Sequence, residues 1–383
     1  LATIGAVAGD GRSFTVVNEC SQTVTVGSTG GRITFGTGTD YTSKSLCDQH
    51  GSSGSYNYGP NGIGCYWTLP PRSDGDGNNR VLHSGEKAVY ELYETDIDVR
   101  WSGTIWASTG CDEALGCLTG VCHNSKDNYI CPPYVGPSGP TTKAEFTLSN
   151  GGTWDYYDVS NIDGINLPME IKPDNPIFPE KYSTNHDMYQ CGNPGGSESD
   201  TGLSGCSWSF EYTVDGIEGD LSQYLRMVHP VVNGTESVEC EDDDVCSSFG
   251  AGICGVHPQR WANGAYRGGV QKGSCGKHVA WVSAGGACAG GWTEGEFPDD
   301  FPFYCGTPMN YGVKATLIGC KGHDGYSQYS HSGYTPGASS TSCGCPDWEA
   351  LGIVAPPISP CNGKNPEWEE YMLPWATHTK KGC

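Results

Sequence analysis

Three acids, Glu145, Asp158 and Asp163, sit among aromatic and β-branched residues in KAEFTLSNGGTWDYYDVSNIDGINLPM, residues 143–169. Two carboxyls at short range are the minimum equipment for acid–base work on a neutral substrate: one donates a proton and the other stays charged. The stretch breaks at Asn150-Gly151-Gly152-Thr153, a tight-turn signal between alternating apolar segments, and this predicts a β-hairpin. With Gly151 and Gly152 as the loop, Asn150 pairs with Thr153, Phe146 falls opposite Tyr157, and Glu145 falls opposite Asp158. Opposed residues of an antiparallel pair have Cβ atoms about 4.5–5.5 Å apart, and like charges so placed repel. Three arrangements relieve this: the pair shares a proton, a cation sits between the two, or both carboxyls reach into water.

The elements that must hold this hairpin read mainly as strands. Residues 14–26, FTVVNECSQTVTV, alternate around a turn and predict a hairpin. Segments 86–93, 97–107, 143–149, 155–160 and 311–320 repeat the strand pattern, spaced by turns as in a sandwich or barrel. Residues 28–80, rich in Gly, Ser, Asn and Asp, read as an insertion closed by its own bridge between Cys47 and Cys65. Cys111, Cys117, Cys122 and Cys131 lie close together and pin short loops between strands. Residues 191–260 change character: GDLSQYLRMV and VCSSFGA predict short helices in a cysteine-rich subdomain. The run ECEDDDVC lacks the spacing and distal Glu of a calcium loop and reads as a solvated acidic loop. Cys343, Cys345, Cys361 and Cys383 tie down a Gly- and Ser-rich tail.

Composition bounds the function. Twenty cysteines among 383 residues, with 57 Gly and 24 Pro, describe a loop-rich protein stapled by disulfides, and so a secreted, extracellular one. The first residues lack a basic flank and a long apolar core, so the reading takes the chain as already processed, and no segment has the apolar length of a membrane span. Asn233-Gly234-Thr235 is an acceptor triplet for N-glycosylation at Asn233. A formal net charge of −23 argues against nucleic acid and anionic membrane as partners. Uncharged glycans suit a chain with 11 Trp and 21 Tyr, whose flat faces and polar tips match sugar rings. The histidines show no close ligand spacing; His278, beside Lys277, is the one to follow if a metal were present, and no cofactor or metal is expected.

Residues 141–169 resemble the signature of thaumatin-like proteins. FTVVNEC resembles that family's first strand and first cysteine, LHSGEKAVYEL and GTIWASTGC its next strands, CLTGVC a following cysteine pair, and CGTPMNYGVKATLIGC its terminal strand. The resemblance implies a mainly β fold, a β-sandwich with a disulfide-rich subdomain of loops and short helices, and an acidic cleft between them. It places a sandwich core at 14–175 plus 305–320, with 28–80 inserted, the cysteine-rich subdomain at 176–304, and a disulfide-tethered extension at 321–383. Cys20 and Cys320 join the disulfide set. Of the family's cleft residues, one Arg, one Glu and three Asp, the resemblance carries over Glu145, Asp158 and Asp163. Ser108 stands where the family has Arg, and Lys277 stands at the last Asp unless Glu294, Glu296, Asp299 or Asp300 supplies that acid.

Several members of that family bind or hydrolyse β-1,3-glucan, so the resemblance implies a glycoside hydrolase acting on a β-linked polysaccharide. Glu145 is the expected acid and Asp158 or Asp163 its partner, with Ser108, Lys277, Tyr156 and Trp154 lining the substrate. Xylan or a mixed-linkage glucan is the alternative substrate. A carbohydrate-binding defence or effector protein without turnover is the alternative function. The partner expected is a cell-wall polysaccharide, and the chain is expected to act as a monomer.

Overall fold

The computed structural model describes residues 2–7, 13–31, 33–35, 47, 56–58, 64–67, 80–92, 99–111, 116–122, 136–148, 155–161, 163–174, 190–193, 206, 211–214, 217–220, 224–230, 232–233, 236–250, 252–260, 266–283 and 287. One sheet holds β1 (Ala2–Val7), β2 (Ser13–Asn18), β8 (Lys87–Glu91), β14 (Met169–Asp174) and β15 (Cys191–Asn193), in the order β15-β14-β1-β2-β8. A second holds β3 (Val24–Gly30), β4 (Thr34–Phe35), β7 (Val81–Leu82), β9 (Val99–Thr109), β12 (Lys143–Leu148) and β13 (Tyr156–Ser160), in the order β13-β12-β9-β3-β7 with β4 also on β9. β1 pairs parallel with β14 and antiparallel with β2, so the first sheet begins ahead of residue 14, and β15 carries it past residue 175. The expected terminal strand at 305–320 and the tail at 321–383 lie outside the described residues.

The two sheets bury one core between them. Along β12 the sequence alternates, with Ala144, Phe146 and Leu148 buried and Lys143, Glu145 and Thr147 turned to the other side. Phe14 of the first sheet meets Phe146 and Trp101 of the second, with ring centroids 4.9 and 5.8 Å apart. Trp67, from β6 (Cys65–Trp67) paired with β5 (Tyr56–Tyr58), sits 5.0 Å from Trp101. Each such aromatic pair contributes about 0.5–1.5 kcal/mol beyond the area it buries. Gly30 and Gly103 make room for Trp101, since a Cβ at either would run into its indole. Ile33, Cys47, Cys65 and Trp67 all belong to this core, and Cys47 is bonded to Cys65. Segment 28–80 therefore contributes to the sandwich interior as well as carrying its own bridge.

The hairpin expected over 14–26 does not form. β2 lies in the first sheet and β3 in the second, so residues 19–23 cross between layers. Buried Asn18 makes this corner: its Nδ2 donates to Gln22 O at 2.8 Å and Leu82 O at 2.9 Å, and its Oδ1 accepts from the Cys20 N–H at 3.0 Å. The Cys20–Cys206 disulfide, between residues 186 apart in sequence, fixes it from outside the segment. Backbone groups that a hairpin ladder would have paired are satisfied here by a side chain.

In the cysteine-rich part, β18 (Tyr224–Pro230), β21 (Ile253–Arg260) and β22 (Tyr266–Ser283) close on one another, β22 running antiparallel to both. GDLSQYLRMV, expected as helix, is therefore strand from Tyr224 onward. Tyr224, Leu225, Met227 and Val228 are all buried, and a short apolar run of this kind fits a buried strand or a buried helix equally until its neighbours decide. VCSSFGA does begin in a helix, α1 (Asp243–Ser247), capped by Asp242, whose Oδ1 accepts from the Val245 N–H at 3.1 Å. The acidic run is thus more than a solvated loop. Asp243 accepts from both terminal nitrogens of Arg226, at 2.8 and 2.9 Å, and from the Cys254 N–H at 2.7 Å. Burial pushes the Asp243 carboxyl up, but the Arg226 and Cys254 hydrogen bonds and the charges of Arg226 and His278 hold it below its ordinary value. Disulfides Cys240–Cys254 and Cys246–Cys275 brace this unit. Three two-stranded antiparallel pairs complete the described strands: β10 (Val121–Cys122) with β11 (Pro137–Ser138), β16 (Glu211–Val214) with β17 (Ile217–Asp220), and β19 (Val232–Asn233) with β20 (Glu236–Ser237).

Candidate active site

β12 runs between β9 and β13, so each outward residue on it has a neighbour on either hand. Glu145 stands opposite Asp158 of β13 and Thr104 of β9; Lys143 stands opposite Ser160 and Trp106. The turn arithmetic therefore matches the pairing formed, with Phe146 facing Tyr157 and Glu145 facing Asp158. Glu145 is half-buried and Asp158 exposed. The Trp106 indole occupies the space over Gly27, where a Cβ would collide with it, so this part of the face is closed and solvent is met further along, at the β12–β13 edge.

Asp163 follows the end of β13. Its carboxylate forms an ion pair with Lys143 Nζ, the lysine side chain being 17% exposed and the aspartate side chain 50%. The loop beneath it is held by three other devices. Gly164, at φ 109°, packs so closely that a Cβ would strike the Trp281 carbonyl oxygen and lie 2.9 Å from Pro140 Cβ. Ile165 exchanges two backbone hydrogen bonds with Trp281 of β22, at 2.8 and 2.7 Å, which docks the cysteine-rich unit on the sandwich. Buried Asn166 donates to Ala107 O at 2.7 Å and Thr119 Oγ1 at 2.8 Å and accepts from the Thr142 N–H at 3.0 Å. It thereby joins the end of β9, the 116–120 turn and the start of β12.

The other expected site residues fall as follows. Ser108 is buried and its Oγ donates to Gly120 O at 2.7 Å, so its hydroxyl is committed inside the protein. Lys277 is exposed on β22 opposite His229, and the cation at Asp163 is Lys143 instead. Tyr156 lies on β13 opposite Thr147. Trp154 and the turn 149–154 are outside the described residues, as are Glu294, Glu296, Asp299, Asp300, Cys131 and Cys320. Cys111 is bonded to Cys117, Cys122 is on β10, and Asn233 pairs with Glu236 in the β19–β20 hairpin. Lys143 and Asn166 were not singled out from sequence. For Lys143 a signal existed: two residues before Glu145 on a strand, it must share the glutamate's face.

Among the described residues, the group with metal-ligand geometry is Cys240, Cys246 and Cys275, whose sulfurs lie within 4.8 Å of one another. All three are in disulfides, so none offers a thiolate. His278 is buried, edge-on to Trp281 at 4.6 Å, with its Nε2 donating to Ala280 O at 3.0 Å. Its role is in the junction packing.

A family model described as the Thaumatin family matches residues 68–223. The chain is 40% identical over 114 residues to thaumatin-like protein 2 of Prunus persica, covering 28% of this chain and 45% of that protein. It is 40% identical over 113 residues to a glucan endo-1,3-beta-glucosidase of Prunus avium, with the same coverages of 28% and 45%. It is 44% identical over 77 residues to pathogenesis-related protein 5 of Arabidopsis thaliana, 19% of this chain and 30% of that protein. The chain spans less than half the length of the curated relatives it matches. Residues 68–223 are thus similar to the Thaumatin family, and the mainly β architecture and the disulfides are in keeping with that match.

Proposed function

We propose that this chain is a secreted glycoside hydrolase that cleaves a β-linked polysaccharide, β-1,3-glucan first, at the outward face of β12 and β13. The observation that carries the reading is the opposed pair Glu145 and Asp158 on the side of the sheet away from the core. Glycosidic cleavage needs an acid to protonate the leaving oxygen and a carboxylate at the anomeric carbon. Glu145, half-buried between Thr104 and Asp158, donates the proton; Asp158, more exposed, serves the anomeric centre. Direct opposition, with Cβ atoms about 4.5–5.5 Å apart, suits the short carboxyl separation that accompanies retention of configuration. Asp163, held by Lys143, accepts hydrogen bonds from sugar hydroxyls.

The Prunus avium relative, by its name, supports β-1,3-glucan as first substrate; xylan and mixed-linkage glucan follow. The disulfides among the described cysteines suit an oxidising, extracellular site. A second reading, a carbohydrate-binding protein without turnover, is favoured by one observation: Ser108 is turned away from any ligand toward Gly120. The test is incubation with a panel of β-1,3-glucan, mixed-linkage glucan, xylan, β-1,6-glucan, chitin and pectin, with released oligosaccharides read by mass spectrometry. Products from at least one glycan, absent with Glu145→Gln, support the hydrolase. Silence across the panel with retained polysaccharide binding supports the second reading.

A further inference from the structure

We propose that Lys143 is a positioning residue of this site, orienting the Asp163 carboxylate beside the Glu145–Asp158 pair so that it meets sugar hydroxyls in one geometry; the inference rests on the hydrolase reading above. Lys143 and Glu145 are two residues apart on β12 and so share its outward face, while the register makes Lys143 a diagonal neighbour of Asp158. Two carboxylates therefore lie close to the ammonium, yet it is Asp163, from the following loop, that it pairs with.

The loop backbone does not depend on that ion pair. Gly164 N donates to Asn161 O at 3.0 Å, Ile165 is bonded both ways to Trp281, and Asn166 makes three buried hydrogen bonds. What the lysine adds is the direction of one side chain. Its stem is largely covered, which restricts the ammonium, whereas the Asp163 side chain keeps half of its surface open. An ion pair with one partner this exposed adds little to the stability of the fold. Its larger effect is on orientation: the Asp163 carboxylate is held beside the cation, on the face that also carries Glu145 and Asp158. A carboxylate held by a cation still has acceptor capacity for hydroxyl groups.

The test is steady-state kinetics on the glycan the wild-type chain cleaves, with Lys143→Met, Lys143→Arg, Asp163→Asn and the double variant Lys143→Met/Asp163→Asn, and with melting temperatures alongside. Loss of oriented substrate binding raises KM about tenfold in Lys143→Met and in Asp163→Asn while kcat stays within about threefold. Residues acting as a unit are non-additive, so the double variant is no worse than either single, and Lys143→Arg restores KM to within about threefold. A merely structural ion pair would move the melting temperature and leave KM alone. Wild-type KM in Lys143→Met, multiplicative losses in the double variant, or no rescue by Arg would each overturn the assignment. A wild-type chain that releases no product, or Glu145→Gln that still releases it, overturns the hydrolase reading and the assignment of Lys143 with it, a result distinct from all of these.

Discussion

Replacing Asn166 with Ala should cost more stability than any substitution of an acid on the site face. The amide is 2% exposed and makes three hydrogen bonds, to Ala107 O, Thr119 Oγ1 and the Thr142 N–H. Truncation leaves the Ala107 carbonyl and the Thr142 N–H without this partner in the protein interior, while Thr119 Oγ1 keeps its 2.7 Å bond to Thr109 Oγ1. Each orphaned buried group costs about 1–3 kcal/mol, so the sum is about 2–6 kcal/mol. For a domain of roughly 150–250 residues this lowers the melting temperature by about 4–24 °C, with the centre of the range near 12 °C. Thermal and guanidinium unfolding of the oxidised protein would measure it. Asn166→Asp, which retains an acceptor for Thr142 but sets a carboxylate against the Ala107 carbonyl, should lose as much or more. A loss below about 1 kcal/mol for Asn166→Ala would refute the view that one amide joins β9, the 116–120 turn and the Asp163 loop.

Two further perturbations probe the junction and the cysteine-rich unit. Gly164→Ala combines a positive φ with a collision against the Trp281 carbonyl, so it should open the Ile165–Trp281 bridge; hydrogen exchange at Ile165 and Trp281, protected in the wild type, should become fast, and unchanged protection would refute the packing argument. Asp243 has a folded pKa below its unfolded value, so its contribution is fully present above the unfolded carboxyl range near 3.9 and is lost as pH falls through the folded value; the stability gap between wild type and Asp243→Asn should close on acidification from pH 6 to pH 2, and a gap independent of pH would contradict it.

The sequence announced some of these features and hid others for physical reasons. The Glu145–Asp158 register was legible because a Gly-Gly turn and strict alternation are local, and together they determine which residues face each other. The crossing at residues 19–23 was not, because alternation around a turn is the same for a hairpin as for a chain that changes sheets. The deciding contacts, Asn18 to Leu82 and Cys20 to Cys206, are distant in sequence. YLRMV misled for a related reason, its apolar run being buried by partners that arrive with β21 and β22. Within the site, residue types pointed to the acids, but which cation Asp163 meets depends on how the loop after β13 is folded, and that loop is set by Asn166 and Trp281. Ser108 shows the same limit: its hydroxyl could serve a ligand or a backbone carbonyl, and the 116–120 turn supplies the carbonyl.

If Glu145 and Asp158 act as a catalytic pair, turnover needs both carboxyls while binding needs neither. The most direct measurement places wild type, Glu145→Gln and Asp158→Asn side by side on the same insoluble β-1,3-glucan, scoring released oligosaccharide and bound protein in each tube. Removing a general acid costs about 10²–10⁴ in rate, so product release should collapse in both variants while binding stays at the wild-type level. Release that survives in both variants, or release and binding lost together, would contradict it.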